Sequence, residues 1–298
     1  MTARKTIFIY SSFLCLIILP PLVISSVWLA AYLEEQNGQR ITILMYHQLV
    51  ESSEKADYYH LPVHVFEKQL AWLRTNHFAN ISLDTMAHIH DHPELISKNL
   101  VVLTFDDGSK DHYLHAYPLL RQYDYSGTFF LITSLVGQVL TADEIKDMYR
   151  AGMGIGSHTH SHPFLDKLDQ EEIRRELMIS KSLLESLIGG PVRFLCIPGG
   201  WYNDTVLRIA EELNYKLICT SDIGTNPLEN AGSALKRIDV PGTITMEKFP
   251  ELFTPSHIAT QSTFRKLRLA LRKAIGSDAY TRLWEWYYSK RLEGAFSW

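Results

Sequence analysis

The sequence predicts an α/β fold with a largely parallel sheet rolled into a barrel, preceded by one transmembrane helix. Three features predict it. Short apolar, β-branched segments alternate with stretches of helical periodicity. No repeat, low-complexity run or long linker interrupts that alternation over 41–245. An almost unbroken apolar run precedes it at 7–33. With 298 residues, 46% of them hydrophobic, the chain holds apolar material for one large core or two small ones.

In chain order, Arg4 and Lys5 come before the apolar run, and Glu34 and Glu35 follow it. The run is long enough to cross a bilayer, and about twice the 7–15 apolar residues of a cleaved signal peptide. It is therefore expected to be a signal anchor, although Ala30 and Ala31 leave cleavage open. The positive-inside rule makes 1–6 a cytoplasmic stub. Everything beyond the polar linker 34–40 is then expected on the periplasmic or extracellular side.

Strands are expected at 41–46, 79–83, 100–105, 127–132, 153–157, 193–197, 215–220 and 236–240, and eight strands suit a barrel. Between them, Phe66, Leu70 and Leu73, or Ile173, Leu177, Leu184 and Leu187, recur at helical spacing. The tail 246–298 differs. FRKLRLALRKAI at 264–275 reads as a basic amphipathic helix, and 280–298 is rich in Trp and Tyr. It is expected either to lie on the same membrane or to cap the fold with a solvated basic face.

Charge and cysteines narrow the function. Lys and Arg total 29 against 33 Asp and Glu, a net charge of −4, so no general attraction to a phosphate backbone exists and nucleic acid is not an expected partner. Cys15, Cys196 and Cys219 lack both metal-site spacing and the density of a disulfide scaffold. Cys196 and Cys219 fall on successive strands and are expected to be buried free thiols, with pairing as the alternative.

Two clusters carry chemistry. LVVLTFDDG at 100–108 is a buried-strand run ending in adjacent carboxylates, and MGIGSHTHSHP at 153–163 is a strand running into three histidines. In a parallel barrel the C-terminal strand ends form one face, so the clusters should meet there. His158 and His162 are spaced to converge on one metal, with His160 pointing elsewhere. One carboxylate and two imidazoles suit Zn2+, and Co2+, Fe2+ or Ni2+ would suit the same set. The second carboxylate is then free to take a proton from water, which is a hydrolase's equipment. An iron oxygenase also uses two His and one carboxylate, but on an all-β jelly roll, which the helical segments exclude.

The TFDDG of 104–108 and the HTxxH of 158–162 resemble the first two motifs of the polysaccharide deacetylase family, also called NodB homology or carbohydrate esterase family 4 domains. The resemblance covers roughly 41–240. It implies a distorted (β/α) barrel that removes acetyl groups from N-acetylated sugars, with Asp106 as general base and Asp107, His158 and His162 as metal ligands. ILMYH at 43–47 matches a sub-branch with a Tyr-His pair. No late Leu-x-x-His motif is present to supply the general acid, and His47, ending the first strand, is the candidate for that role. LCIPGGWYN at 195–203 stands for the third motif. Cys196 occupies the place of the family's Arg, Pro198 is retained, and Gly199 would offer a backbone N–H to the oxyanion. Trp201 and Tyr202 are candidates for stacking on sugar. The expected substrate is an exopolysaccharide or cell-wall glycan. The competing readings are an O-acetyl esterase of the same fold and a catalytically weak glycan-binding or assembly protein.

Overall fold

After its first residue the run RITILMY has no charge to place in water, and it forms β1 (Arg40–Tyr46), buried continuously from Ile41. Continuous burial, rather than alternation, is the mark of a strand covered on both faces. The computed structural model describes residues 21–95, 98–228, 233–276, 279–280 and 282–283. The chain divides into two compact units, Glu35–Pro255 and the combination of Met1–Glu34 with Ser256–Trp298.

In the smaller unit, α1 (Pro21–Gln36) carries Trp28, whose indole N–H donates to Thr260 at 3.1 Å and whose ring stacks on Tyr32. No helix among the described residues is long and apolar enough to cross a membrane. The stub 1–6 and most of the expected anchor 7–33 lie outside those residues, as does 284–298 of the aromatic tail.

In the larger unit, β2 (Gln48–Val50) and β3 (His60–Pro62) pair with each other, each too short to show a periodicity. Then come α2 (Val63–Thr75), β4 (Phe78–Asn80), α3 (Leu83–Ala87), β5 (Asn99–Phe105), α4 (Tyr117–Gln122), β6 (Thr128–Leu131), α5 (Ala142–Arg150) and β7 (Gly154–Ser157). These are followed by α6 (Gln170–Ile188), β8 (Phe194–Cys196), α7 (Asp204–Glu212), β9 (Leu217–Ile223), β10 (Asn226–Pro227) and β11 (Ala234–Asp239). Helix α8 (Pro255–Ile275) ends the sequence of named elements and contains the expected helix at 264–275.

Seven parallel strands close into a barrel in the order β1, β11, β9, β8, β7, β6, β5, with β5 pairing back to β1. The expectation of eight is corrected here. The strand expected at 79–83 pairs with β5 only at Asn99, Leu100 and Val101, low on the edge that β6 occupies at Thr104 and Phe105. Asn80 joins the two, accepting from Ser126 N at 2.7 Å and donating to Ser126 O at 3.1 Å. The strand also stops early because Ser82 caps α3, its Oγ accepting from Thr85 N.

Inward positions alternate along each strand. Ile41, Ile43, Leu100, Val102, Phe194, Cys196, Leu217, Cys219 and Leu235 fill one continuous buried cluster with Ile81, Leu83 and Met86. Continuing the same parity upward gives His47 on β1, Asp106 on β5, and Arg237 and Asp239 on β11. The polar groups of the mouth are thus the top layer of the apolar stack.

Candidate active site

Asp106 and Asp107 are adjacent in sequence yet face different ways, because Asp107 (φ 75°) and Gly108 (φ 69°) turn left-handed at the end of β5. Gly108 is obligatory there: a Cβ would lie 2.8 Å from Leu131 Cδ2 and 3.3 Å from the Leu131 Cα. The turn leaves Asp106 buried beneath the mouth and the Asp107 side chain 33% exposed in it.

Asp107 meets both expected partners. Its Oδ1 lies 3.3 Å from His158 Nε2 and 3.5 Å from His162 Nε2. His158 continues β7, and its Nδ1–H donates to the Cys196 carbonyl at 2.9 Å. A carbonyl can only accept, so Nδ1 keeps its proton and Nε2 is the nitrogen turned to Asp107: protonated, it donates to that carboxylate, and neutral, it presents a lone pair that a cation between the two would take. The loop to His162 is held by its own side chains. Thr159 (φ 66°) and His162 (φ 63°) are both left-handed, and Thr159 Oγ1 accepts from His162 N at 3.0 Å. Glu176 of α6 takes the N–H groups of His160 and Ser161 at 3.0 and 2.8 Å. The His160 ring turns away to Thr133, at 3.0 Å. Non-glycine left-handed residues cost roughly 1–2 kcal/mol each, and three of them adjoin this one cluster.

Asp107, His158 and His162 offer three ligand atoms within 4.8 Å of one another, and Asp106, His158 and Cys196 form a second such group. The second is unsuited to a metal. Both Asp106 oxygens accept from Arg237, each at 2.8 Å, and burial holds the Cys196 thiol well above its usual pKa, hence protonated. The first group fits a divalent cation. Against burial, the hydrogen bond and charge of His158 hold the Asp107 carboxyl below its usual pKa, burial holds the His162 imidazole down, and the group lies in an excess of negative charge, two carboxylates against one guanidinium. That potential draws the His158 imidazole upward in pKa against the effect of burial, chiefly through Asp107 and Asp106.

Arg237 is the residue that sequence reasoning missed. It is 1% exposed, and besides its two bonds to Asp106 it donates to Thr220 O at 2.8 Å and contacts Thr104 Oγ1 and Cys196 Sγ at 3.2 and 3.1 Å. It supplies from β11 the cation that the third motif lacks. Cys196 belongs to the same arrangement, since its small side chain leaves the room that the guanidinium fills. Burial alone would raise the Asp106 pKa, but the charge and hydrogen bonds of Arg237, with His158 and His47, hold it well below the ordinary carboxylate range. The only signal was parity, an Arg at an inward position of a strand, and no motif surrounds it.

His47 reaches the same mouth, half-buried, with its ring edge-on to Tyr59 at 5.0 Å. Its backbone carbonyl accepts from Nε2 of the fully buried His112 at 2.7 Å, and Asp111 Oδ2 accepts from Leu49 N at 2.6 Å. The π-helical turn after the first motif therefore clamps the loop that carries His47. Asp239, also missed, tops β11 with Tyr58 donating to its Oδ2 and with Oδ1 buried and unpaired. Burial pushes its carboxyl up in pKa, against the Tyr58 hydrogen bond and the positive charge of His47 and Arg237.

On the opposite rim Pro198 is buried and Gly199 is exposed. Gly199 has φ 61°, and a Cβ on it would stand 3.0 Å from the Trp201 ring and 3.1 Å from the Phe164 ring. Trp201 and Tyr202 are half-buried, and Tyr202 donates to Asp222 Oδ2 at 2.6 Å.

Comparison with known proteins agrees with this geometry. The polysaccharide deacetylase family profile matches residues 96–218, which hold both motifs. A Streptococcus pyogenes deacetylase, PplD, solved in complex with acetate, is 32% identical, and the alignment covers 73% of this chain and 99% of that one with a TM-score of 0.66. The polysaccharide deacetylase-family protein YxkH of Bacillus subtilis is 29% identical over 72% of this chain and 76% of its own length. A peptidoglycan-N-acetylglucosamine deacetylase of Bacillus cereus is 30% identical over 42% of this chain and 58% of its own, so the present chain spans a little over half of that relative. By motif, by barrel and by a full-length structural relative, this chain belongs to the polysaccharide deacetylase family of enzymes.

Proposed function

We propose that this enzyme is metal-dependent and removes N-acetyl groups from an N-acetylglucosamine-containing glycan outside the cytoplasm, held to the membrane by 7–33. The observation that carries the reading is the juxtaposition of Asp107, His158 and His162 with a second carboxylate, Asp106, locked by Arg237. The activities for which the Bacillus cereus relative and the acetate-bound streptococcal protein are named support the acetyl group and the glycan. The charge pattern around the apolar N-terminal run supports the location.

Asp107, His158 and His162 would hold the metal, which when bound polarises the acetyl carbonyl and eases deprotonation of water. Asp106 takes the proton of the attacking water. Its Oδ2 accepts from both Arg237 and the Cys196 thiol, whereas Oδ1 accepts from Arg237 alone, so Oδ1 keeps the lone pair for the proton. The Gly199 N–H donates to the developing oxyanion, and the bare α-carbon lets the carbonyl approach. His47 hands a proton to the departing amine, giving acetate and a glucosamine unit. Arg237 also bears on the rival reading as a weak binding protein. That reading rested on the loss of both the late-motif acid and the third-motif arginine, and Arg237 answers the second of these.

The test is acetate release by the full chain from N-acetylated and O-acetylated oligosaccharides, before and after chelation and with metal restored. Release from N-acetylated sugars that stops on chelation and returns with metal is the expected result. Release from O-acetylated sugars alone would overturn the N-acetyl assignment, and release unaffected by chelation would overturn the metal.

A further inference from the structure

The second half of α8 is amphipathic, yet none of its residues is buried. The helix runs unbroken from Pro255 to Ile275, and its buried residues, Ile258, Ala259, Ser262 and Thr263, all come before Phe264. From Phe264 to Ile275 every residue is half-buried or exposed. A helix of a soluble protein ordinarily turns its apolar stripe toward the core. The end of α8 leaves its stripe uncovered, with Phe264 56% and Ile275 41% exposed.

Helical geometry sorts this half into two faces. At about 3.6 residues per turn, Phe264, Leu267, Leu271 and Ile275 form one stripe, widened by Ala270 and Ala274. Arg268 and Arg272 border the stripe on one side, and Lys266 and Lys273 stand beyond its other border. Between Glu251 and Asp278 the sequence has no acidic residue, so the helix offers these cations no carboxylate of its own.

The other helix of the smaller unit shows the same exposure. Leu29 and Leu33 of α1 are exposed one turn apart, and Trp28 ties α1 to α8 through Thr260, one turn before Phe264. Five of the eleven exposed large apolar side chains among the described residues fall in this unit, the fifth being Leu283. That is more than the unit's share of the chain, and such a concentration marks a surface that something covers. The pattern selects the partner. A polyanion in water would take the cations and leave the stripe wet. A second copy of the helix would take the stripe but set cation against cation. An anionic lipid surface takes both, the stripe sinking to the acyl boundary while Arg and Lys stretch their stems to the headgroups.

We propose that 264–275 lies along an anionic lipid surface with its apolar stripe inward, as a second membrane contact beside the run 7–33 of the same unit. A single span leaves a chain free to turn about it. A second contact restrains that turning, and it forms as an intramolecular step because the run already holds the helix at the surface. The location proposed above supplies only which membrane this is, and the lipid face of α8 stands without it.

The test is hydrogen–deuterium exchange of 264–275 in the full chain, reconstituted into phosphatidylcholine vesicles with and without phosphatidylglycerol. Exchange should be about tenfold slower in the anionic vesicles than in the neutral ones. Phe264→Glu with Ile275→Glu should abolish that slowing. The carboxylate introduced at 264 lies one turn before Arg268 and favours the isolated helix, so lost protection reports lost lipid contact rather than a weaker helix. Lys266→Gln, Arg268→Gln and Lys273→Gln together should keep the neutral-vesicle rate and lose the anionic increment. Equal exchange in the two lipids, or a paired glutamate variant within about twofold of the parent in anionic vesicles, would overturn the proposal. So would protection that rises with the protein-to-lipid ratio, which assigns the face to a second copy, or equal protection by dextran sulfate beside neutral vesicles, which assigns it to a polyanion. Protection intact in a protein that alkaline washing strips from the vesicles would keep the α8 contact and defeat the anchor reading of 7–33 instead.

Discussion

Asp106 and Asp107 share a peptide bond and little else. Asp107 stands in the open mouth with two imidazoles supplied by one short loop, and every residue of that group belongs to a contiguous motif. Asp106 is sealed one layer down, held by a guanidinium 131 residues further along the chain. The outer group is local in sequence and asks only for a turn. The inner group is long-range and needs the whole barrel closed before its charges are matched.

The difference predicts how each group breaks. Arg237→Met leaves a buried carboxylate without its cation and should cost about 3–5 kcal/mol of stability. The sign with pH is definite. In the parent the Asp106 pKa is depressed, so its contribution is present above the unfolded carboxylate value near about 4 and is lost as pH falls toward the folded one. In the variant burial is opposed only by the charges of His158 and His47, so the folded pKa rises from its depressed value and the stability that ionised Asp106 contributes in the parent is lost, a loss that grows as pH rises. Urea unfolding should therefore show a larger gap between variant and parent at neutral pH than at pH near about 4.

His158→Ala strikes the outer group. It should lower acetate release by about a hundredfold to a thousandfold, beyond the 10–100-fold typical of residues that merely orient ligands, and metal retained after gel filtration should fall with it. The fold should melt close to the parent in the absence of metal, because the ring's one bond inward goes to a backbone carbonyl.

A smaller effect separates charge from geometry. Arg237→Lys keeps the cation but loses the paired bonds, and kcat should fall about tenfold with KM little changed. Smallest is Cys196→Ser, which keeps a short donor beside Asp106. Activity within about threefold of the parent is expected if the thiol's part is to leave room, and a drop of a hundredfold would assign it a role of its own.

The same comparison explains what was legible. The strands of the barrel were readable because burial on both faces leaves runs such as LVVLTF with few polar interruptions, and the metal group because its residues crowd into two motifs. The count of strands was not, since Phe78–Asn80 has a strand's composition and a place on β5 that β6 takes over higher up. Arg237 and Asp239 were silent because an isolated charge at an inward position resembles any surface residue until the ring order brings β11 beside β1. The gap at Cys196 was visible as the absence of an arginine. Its compensation lay on another strand, where no spacing rule reaches.

The central claim is that Arg237 serves the reaction by holding Asp106, and a double-mutant cycle on acetate release tests it most directly. Asp106→Asn, Arg237→Lys and the double variant would be assayed on an N-acetylglucosamine oligomer with metal present. The account predicts about a tenfold loss from Arg237→Lys in the parent and less than a twofold loss once Asp106 is Asn. Equal losses in both backgrounds would contradict it and separate the arginine from the base.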